Sequence, residues 1–218
     1  MEPTACLIVL DDELIGELTI AAARALVISG EIAPLKIFTV SFCTDDLSVL
    51  MNLRAKFFTF EQGCLDSIGL CETGRADELL KFIDEQALSR CETIPSLLGY
   101  SLSGSFALQA VARNIKKFGN VAAISPSLWA EPRAETAAET ALEVNQEMFC
   151  HLAAGTGETD KDQTGQQLHM FQKIEALGSR LGSRFSGRVS TKLYDGETHF
   201  GTPFAAICDS LRAILGNR

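Results

Sequence analysis

The chain has 218 residues, 46% of them apolar and 22% charged, with a formal net charge of −9. This suffices for one α/β domain with its own core, so a single domain over 1–218 is the expectation. The acidic balance offers no basic stripe for nucleic acid or an anionic membrane surface, and no apolar run approaches the ~18 residues of a membrane span.

Residues 5–10 are continuously apolar and read as a fully buried strand. Residues 14–29 have helical spacing and stop at Gly30. Residues 35–42, β-branched and aromatic, form a second strand. Residues 44–73 have the poorest periodicity and read as an excursion framing a pocket. Leu79, Leu80, Phe82 and Ile83 space a helix over 76–89. Next come a strand over 94–98, a helix over 102–118 ended by Gly119-Asn120, and a strand over 121–124. A helix over 135–145, a strand over 148–154, a helix over 166–181, a strand over 189–194 and a helix over 203–215 complete the chain. About six short strands alternating with helices predict a mostly parallel sheet covered on both faces.

Seven cysteines are scattered at 6, 43, 64, 71, 91, 150 and 208. An odd number without paired metal-ligand spacing predicts reduced thiols and a cytoplasmic location. Cys6, Cys43 and Cys150 lie in strand-like runs and read as small buried hydrophobes. Met1-Glu2-Pro3 is acidic and the first apolar run is too short for a signal core.

The stretch Gly99-Tyr100-Ser101-Leu102-Ser103-Gly104 lies between a strand and a helix. Gly-x-Ser-x-small-Gly in that setting is a nucleophile elbow. Such a turn strains the serine backbone, lifts its Oγ above the sheet and requires small neighbours. The helix behind it aims free N–H groups at the site, where negative charge would develop. Ligands in parallel sheets bind beyond the carboxyl ends of strands. There the chain places Ser101, then the loop from Gly155 to Asp160, then the loop from Asp195 to Gly201. Serine, acid, histidine is the order in which this fold assembles a triad. Of three histidines, His151 falls in a strand and His169 in a helix, leaving His199 as the base. Glu158, Asp160 and Asp162 all occupy the acid loop, while Asp195 and Glu197 read as turn residues.

These residues resemble the putative-esterase branch of the α/β-hydrolases, which includes carboxylesterases, esterase D-type thioester hydrolases and trilactone siderophore esterases. Four places carry the resemblance: Leu7-Ile8-Val9-Leu10-Asp11-Asp12-Glu13, the elbow, Ser125-Pro126-Ser127-Leu128-Trp129, and Gly196-Glu197-Thr198-His199. It implies a three-layer α/β-hydrolase fold, Ser101 as nucleophile, His199 as base and Glu158 as acid, since Gly155-Thr156-Gly157-Glu158 is similar to the family's Gly-x-x-Glu. The backbone N–H groups of Leu102 and Glu13 would form the oxyanion hole. Tyr100, Trp129 and Arg54 are the expected substrate-binding residues; Trp129 walls the pocket or lies in the core, and Arg54 reaches an anionic substrate or is a surface cation.

Asp12 stands where the family has glycine, and Ser103 replaces the last elbow glycine. Phe57 and Phe60 replace the aspartate and proline of an Arg-x-x-Asp-x-Thr-Pro stretch. Family members carry several dozen residues before the central strand, forming the usual amino-terminal strands. Without those strands 35–42 becomes a sheet edge, to be covered by a homodimer or by the 44–73 excursion.

The expected activity is a serine ester hydrolase acting on small or medium acyl esters through an acyl-enzyme, with neither metal nor organic cofactor. Two alternatives are a trilactone siderophore esterase and a catalytically idle binding protein on a hydrolase fold.

Overall fold

The computed structural model describes residues 5–66, 69–159 and 169–216. Its strands are β1 (Ala5–Leu10), β2 (Leu35–Val40), β3 (Cys64–Leu65), β4 (Leu70–Cys71), β5 (Ser96–Tyr100), β6 (Val121–Ile124), β7 (Cys150–Gly155) and β8 (Val189–Tyr194). Six of them pair in parallel in the order β2-β1-β5-β6-β7-β8, and β3 and β4 form a separate antiparallel hairpin.

The helices are α1 (Glu17–Ile28), α2 (Leu47–Phe57), α3 (Ala76–Gln86), α4 (Leu102–Arg113), α5 (Arg133–Val144), α6 (Met170–Arg184) and α7 (Thr202–Leu215). Successive side chains on a strand point to opposite faces. Leu7, Val9 and Leu98 therefore pack with Ala23 and Leu26 of α1 and Ile207 and Leu211 of α7. Ile8, Leu10 and Leu97 pack with Leu80 of α3, Phe106 of α4, Leu142 of α5 and Ile174 of α6. Two apolar layers thus flank one sheet, which explains the unbroken apolar runs of β1 and β6. Phe106, completely buried, meets Phe58 edge-on and stacks on Phe60. Burying a side chain of this size is worth about 1.5–3 kcal/mol.

Several expectations are corrected. The 44–73 excursion contains α2, capped by Asp46, whose carboxylate accepts from the N–H groups of Ser48 and Val49. Its buried face carries Leu50, Arg54 and Ala55, and the charge in the middle breaks the apolar stripe that would announce a helix. β5 begins two residues later than expected, just after Pro95, and runs through Tyr100. α4 ends at Arg113 rather than 118, and α6 runs Met170–Arg184 where 166–181 was expected, the first residues of that span lying outside those described.

Cys6 is not a reduced core thiol; it is disulfide-bonded to Cys91. Cys43 is exposed rather than buried, whereas Cys150 is buried and desolvation pushes its thiol up to about 12. β2 is an edge strand of the sheet. Among the described residues no helix is long and apolar enough to cross a membrane.

Candidate active site

Ser101 sits between β5 and α4 with φ +60° and ψ −122°. Its N–H donates to Ile124 O at 2.9 Å, which ties the turn to β6. The turn is tight: a Cβ on Gly99 would fall 2.3 Å from Ser103 O. Ser103, in the place of glycine, is accommodated because its Oγ accepts from Tyr100 N–H and donates to Tyr100 O, both at 2.8 Å. Leu102 opens α4, where an N–H has no intrahelical partner.

His199 follows β8. Its Nε2 is 3.0 Å from Ser101 Oγ and its Nδ1 is 3.2 Å from Glu158 Oε2. Gly155 permits this approach, since a Cβ there would fall 2.0 Å from Glu197 O in the turn that leads to His199. The Tyr100 hydroxyl donates to His199 O at 2.9 Å and steadies the loop from beneath. Glu158 Oε1 accepts from Ser125 Oγ at 2.5 Å, Gly155 N–H at 2.8 Å and Thr202 Oγ1 at 3.1 Å. Burial pushes the Glu158 carboxyl up, but donation from His199, Ser125 and Gly155 outweighs it, and the group lies below the ordinary carboxylate value. Asp160 and Asp162 lie outside the described residues.

The structure thus brings Ser101, His199 and Glu158 into one hydrogen-bonded row. Leu102 and Glu13 stand beyond the carboxyl ends of the neighbouring strands β5 and β1. The left-handed residue after β1 is Asp11, at φ +71°, not Asp12, which enters a π-helical turn over Asp12–Gly16. The missing glycine at 12 therefore costs no backbone strain of that kind. The Glu13 carboxylate fixes this turn: Oε1 accepts from Ser41 Oγ and from the N–H groups of Phe42 and Cys43.

Two expected substrate contacts are corrected. Arg54 is 2% exposed and its guanidinium is committed to Asp11, at 2.7 and 2.9 Å, and to Tyr100 O. It is neither a surface cation nor open to an anion. Tyr100 is 3% exposed and holds His199 rather than facing open space. Trp129 is half-buried, with its indole N–H shielded and without a partner among the described residues.

Sequence reasoning gave no role to Ser125, Ser127 or Thr202. Ser125-Pro126-Ser127 was visible as a motif, and Thr202 follows His199 by three residues, but only the folded contacts join them to Glu158 and Ser101. Among the described residues no group of three or more His, Cys, Asp or Glu side chains is arranged to hold a metal ion.

The model of the esterase family described as Putative esterase matches residues 72–205, more than half of the chain and the span that contains the whole row. The chain belongs to this family. A comparison with curated proteins returns no match. Among solved structures, this esterase is similar to the BES protein from Bacillus cereus, with a TM-score of 0.81 and 21% identity over 100% of this chain and 87% of that one. It is similar to the siderophore hydrolase EstA from Aspergillus nidulans, with a TM-score of 0.75 and 21% identity over 95% and 81% of the two chains. An IroE-like serine hydrolase from Shewanella oneidensis follows, with a TM-score of 0.77 and 18% identity over 97% and 70%. At these identities the likeness is one of fold alone, a mostly parallel sheet covered by helices on both faces.

Proposed function

We propose that this esterase is a serine hydrolase acting on small or medium acyl esters through an acyl-enzyme. The observation that carries the reading is His199 standing 3.0 Å from Ser101 Oγ while its other nitrogen faces Glu158 at 3.2 Å. In that arrangement His199 takes the Ser101 proton as Oγ attacks the ester carbonyl. The resulting oxyanion is met by the N–H groups of Leu102 and Glu13. The tetrahedral intermediate collapses, the C–O bond to the alcohol breaks, and His199 returns the proton to the leaving oxygen. Water, deprotonated by the same imidazole, then releases the acid and restores Ser101. Glu158 accepts from Nδ1–H throughout, holds the tautomer and balances the imidazolium.

An apolar acyl group suits the surroundings. Phe200, whose ring lies 5.8 Å from that of His199, and Phe204, one helical turn on, are 77% and 75% exposed. Hydrolysis of p-nitrophenyl butyrate that Ser101→Ala abolishes is the expected result, and equal turnover by that variant would sink the mechanism. Labelling by a fluorophosphonate separates this reading from an idle fold, which would leave Ser101 unmodified.

A siderophore lactone is the second substrate class, suggested by the siderophore hydrolases of similar fold. Arg54, the cation that would meet an anionic catecholate, is withdrawn into its buried ion pair with Asp11. Turnover of a trilactone against that of a butyrate ester decides between the two.

A further inference from the structure

Ser125, Pro126 and Ser127 follow β6, and both hydroxyl-bearing residues are buried, at 0% and 1% exposure. Neither hydroxyl belongs to the row that performs the chemistry, yet each touches one end of it. Ser125 Oγ donates to Glu158 Oε1 at 2.5 Å. Ser127 Oγ is 3.2 Å from Ser101 Oγ, and Ser127 N–H donates to Ser101 O at 3.1 Å. The segment is itself anchored, with Ser125 at φ +45° and its N–H donating to Ala153 O at 2.7 Å. Proline at 126 narrows the backbone between the two serines.

The direction of each bond follows from proton counting. An ionised Glu158 only accepts, so the Nδ1 that faces it carries a proton and Nε2 of the neutral imidazole accepts. The single proton of Ser101 then goes to Nε2. The Ser127–Ser101 contact can be a hydrogen bond only if Ser127 donates. At the acid end Ser125 has a carboxylate oxygen as partner and likewise donates. The hydroxyls feed the row from both ends, Ser127 into the nucleophile and Ser125 into the acid.

We infer that Ser125-Pro126-Ser127 is a positioning strap that sets both ends of the row from one rigid segment. Ser127 holds the Ser101 proton turned toward His199. Ser125 holds the outer oxygen of Glu158, so that the other oxygen faces Nδ1. Both are positioning residues, acting through Ser101 and Glu158 rather than on substrate. This inference rests on the serine-hydrolase reading.

The test compares wild type with Ser127→Ala, Ser127→Thr, Ser125→Ala and Ser125→Gly on p-nitrophenyl butyrate and on a fluorophosphonate. Misplacing reacting groups from one shell away costs up to about 100-fold in rate. Ser127→Ala and both Ser125 variants should lose about 10–100-fold in kcat and in labelling rate, with KM within about twofold. Ser127→Thr, which keeps the hydroxyl, should recover most of the loss. Ser125→Gly relieves the positive φ yet still lacks the donor, so it should be as slow as Ser125→Ala even where it folds better. A wild type that labels and variants that match it would overturn the strap and leave the hydrolase standing. A Thr variant as slow as Ala, or losses confined to KM, would also overturn it. A wild type that neither labels nor turns over would overturn both.

Discussion

Arg54 grips Asp11 with two prongs, Nε to Oδ1 at 2.7 Å and Nη2 to Oδ2 at 2.9 Å, and both side chains are sealed from solvent. The pair joins the end of β1 to the last turn of α2, and Arg54 also reaches Tyr100 O, next to Ser101, at 3.4 Å. Removing one partner of a buried pair strands the other charge and costs about 3–5 kcal/mol. Arg54→Met should therefore lower stability to urea by that order. Adding Asp11→Asn should restore part of it, because asparagine tolerates the left-handed backbone at 11 without a charge. A double variant no more stable than Arg54→Met would show that the charge is not what the arginine offsets.

Glu158→Gln should lower kcat by about 10³–10⁴-fold, the scale on which an imidazole loses its tautomer and counter-charge. Asp160→Asn and Asp162→Asn should change it far less. Steady-state rates on a butyrate ester rank the three, and a damaged aspartate variant would move the acid out of position 158.

Acid should reveal the same carboxylate in the stability of the fold. The Glu158 carboxyl is lowered in the folded chain, so its contribution is full above the unfolded value of about 4.3 and is lost as pH falls through the folded value. The stability gap between wild type and Glu158→Gln should be flat above about pH 5.5 and shrink in more acid solution. Glu131 runs the other way. Burial raises it despite donation from Gln109 and Phe60 N–H, so folding favours its protonated form and its charge becomes a cost as pH rises. Unfolding curves across pH, with Glu131→Gln alongside, separate the two signs.

Thiol counting tests the cysteine arrangement. The chain denatured without reductant should expose five thiols, those of Cys43, Cys64, Cys71, Cys150 and Cys208. Cys64 and Cys71 face each other across the β3–β4 hairpin with sulfurs 2.8 Å apart, so glutathione disulfide should bring the count to three. Hydrogen bonding to Cys64 raises the Cys71 thiol, which should make that exchange slow near neutral pH. Loss of the Cys6–Cys91 bond in Cys6→Ser should cost about 2–4 kcal/mol, and unchanged stability would exclude a disulfide there.

Among the described residues the edge position of β2 leaves a row of backbone groups without a strand partner, a template for pairing. A dimer at micromolar concentration by light scattering is the expected outcome. A monomer with slow amide exchange along β2 would refute it.

Much of this was legible in the chain because the relevant physics is local. Unbroken apolar runs mark β1 and β6, and Val121–Ile124 and Val189–Tyr194 have the bounds their patterns predict. Ser101 and His199 were legible because an elbow and a post-strand loop are short motifs with fixed positions on the sheet. Arg54 was not, because a buried arginine is stable only when a partner 43 residues away arrives to meet it. The same holds for Cys6 and Cys91, for Tyr100 turned under His199, and for Ser125 and Ser127. Each acquires its role from a contact between segments distant in sequence that no periodicity announces.

The Cys6–Cys91 bond lies at the opposite end of β1 and β5 from the site, at the foot of the two strands whose tops carry Glu13 and Leu102. The segment it closes, spanning a separation of 85 residues, holds α1, β2, α2, the hairpin and α3. A protease that nicks the exposed stretch near Asp45 would cut this ring without dividing the molecule. The fragment bearing Glu13 would stay fastened to the fragment bearing Ser101, and the two would part only after reduction.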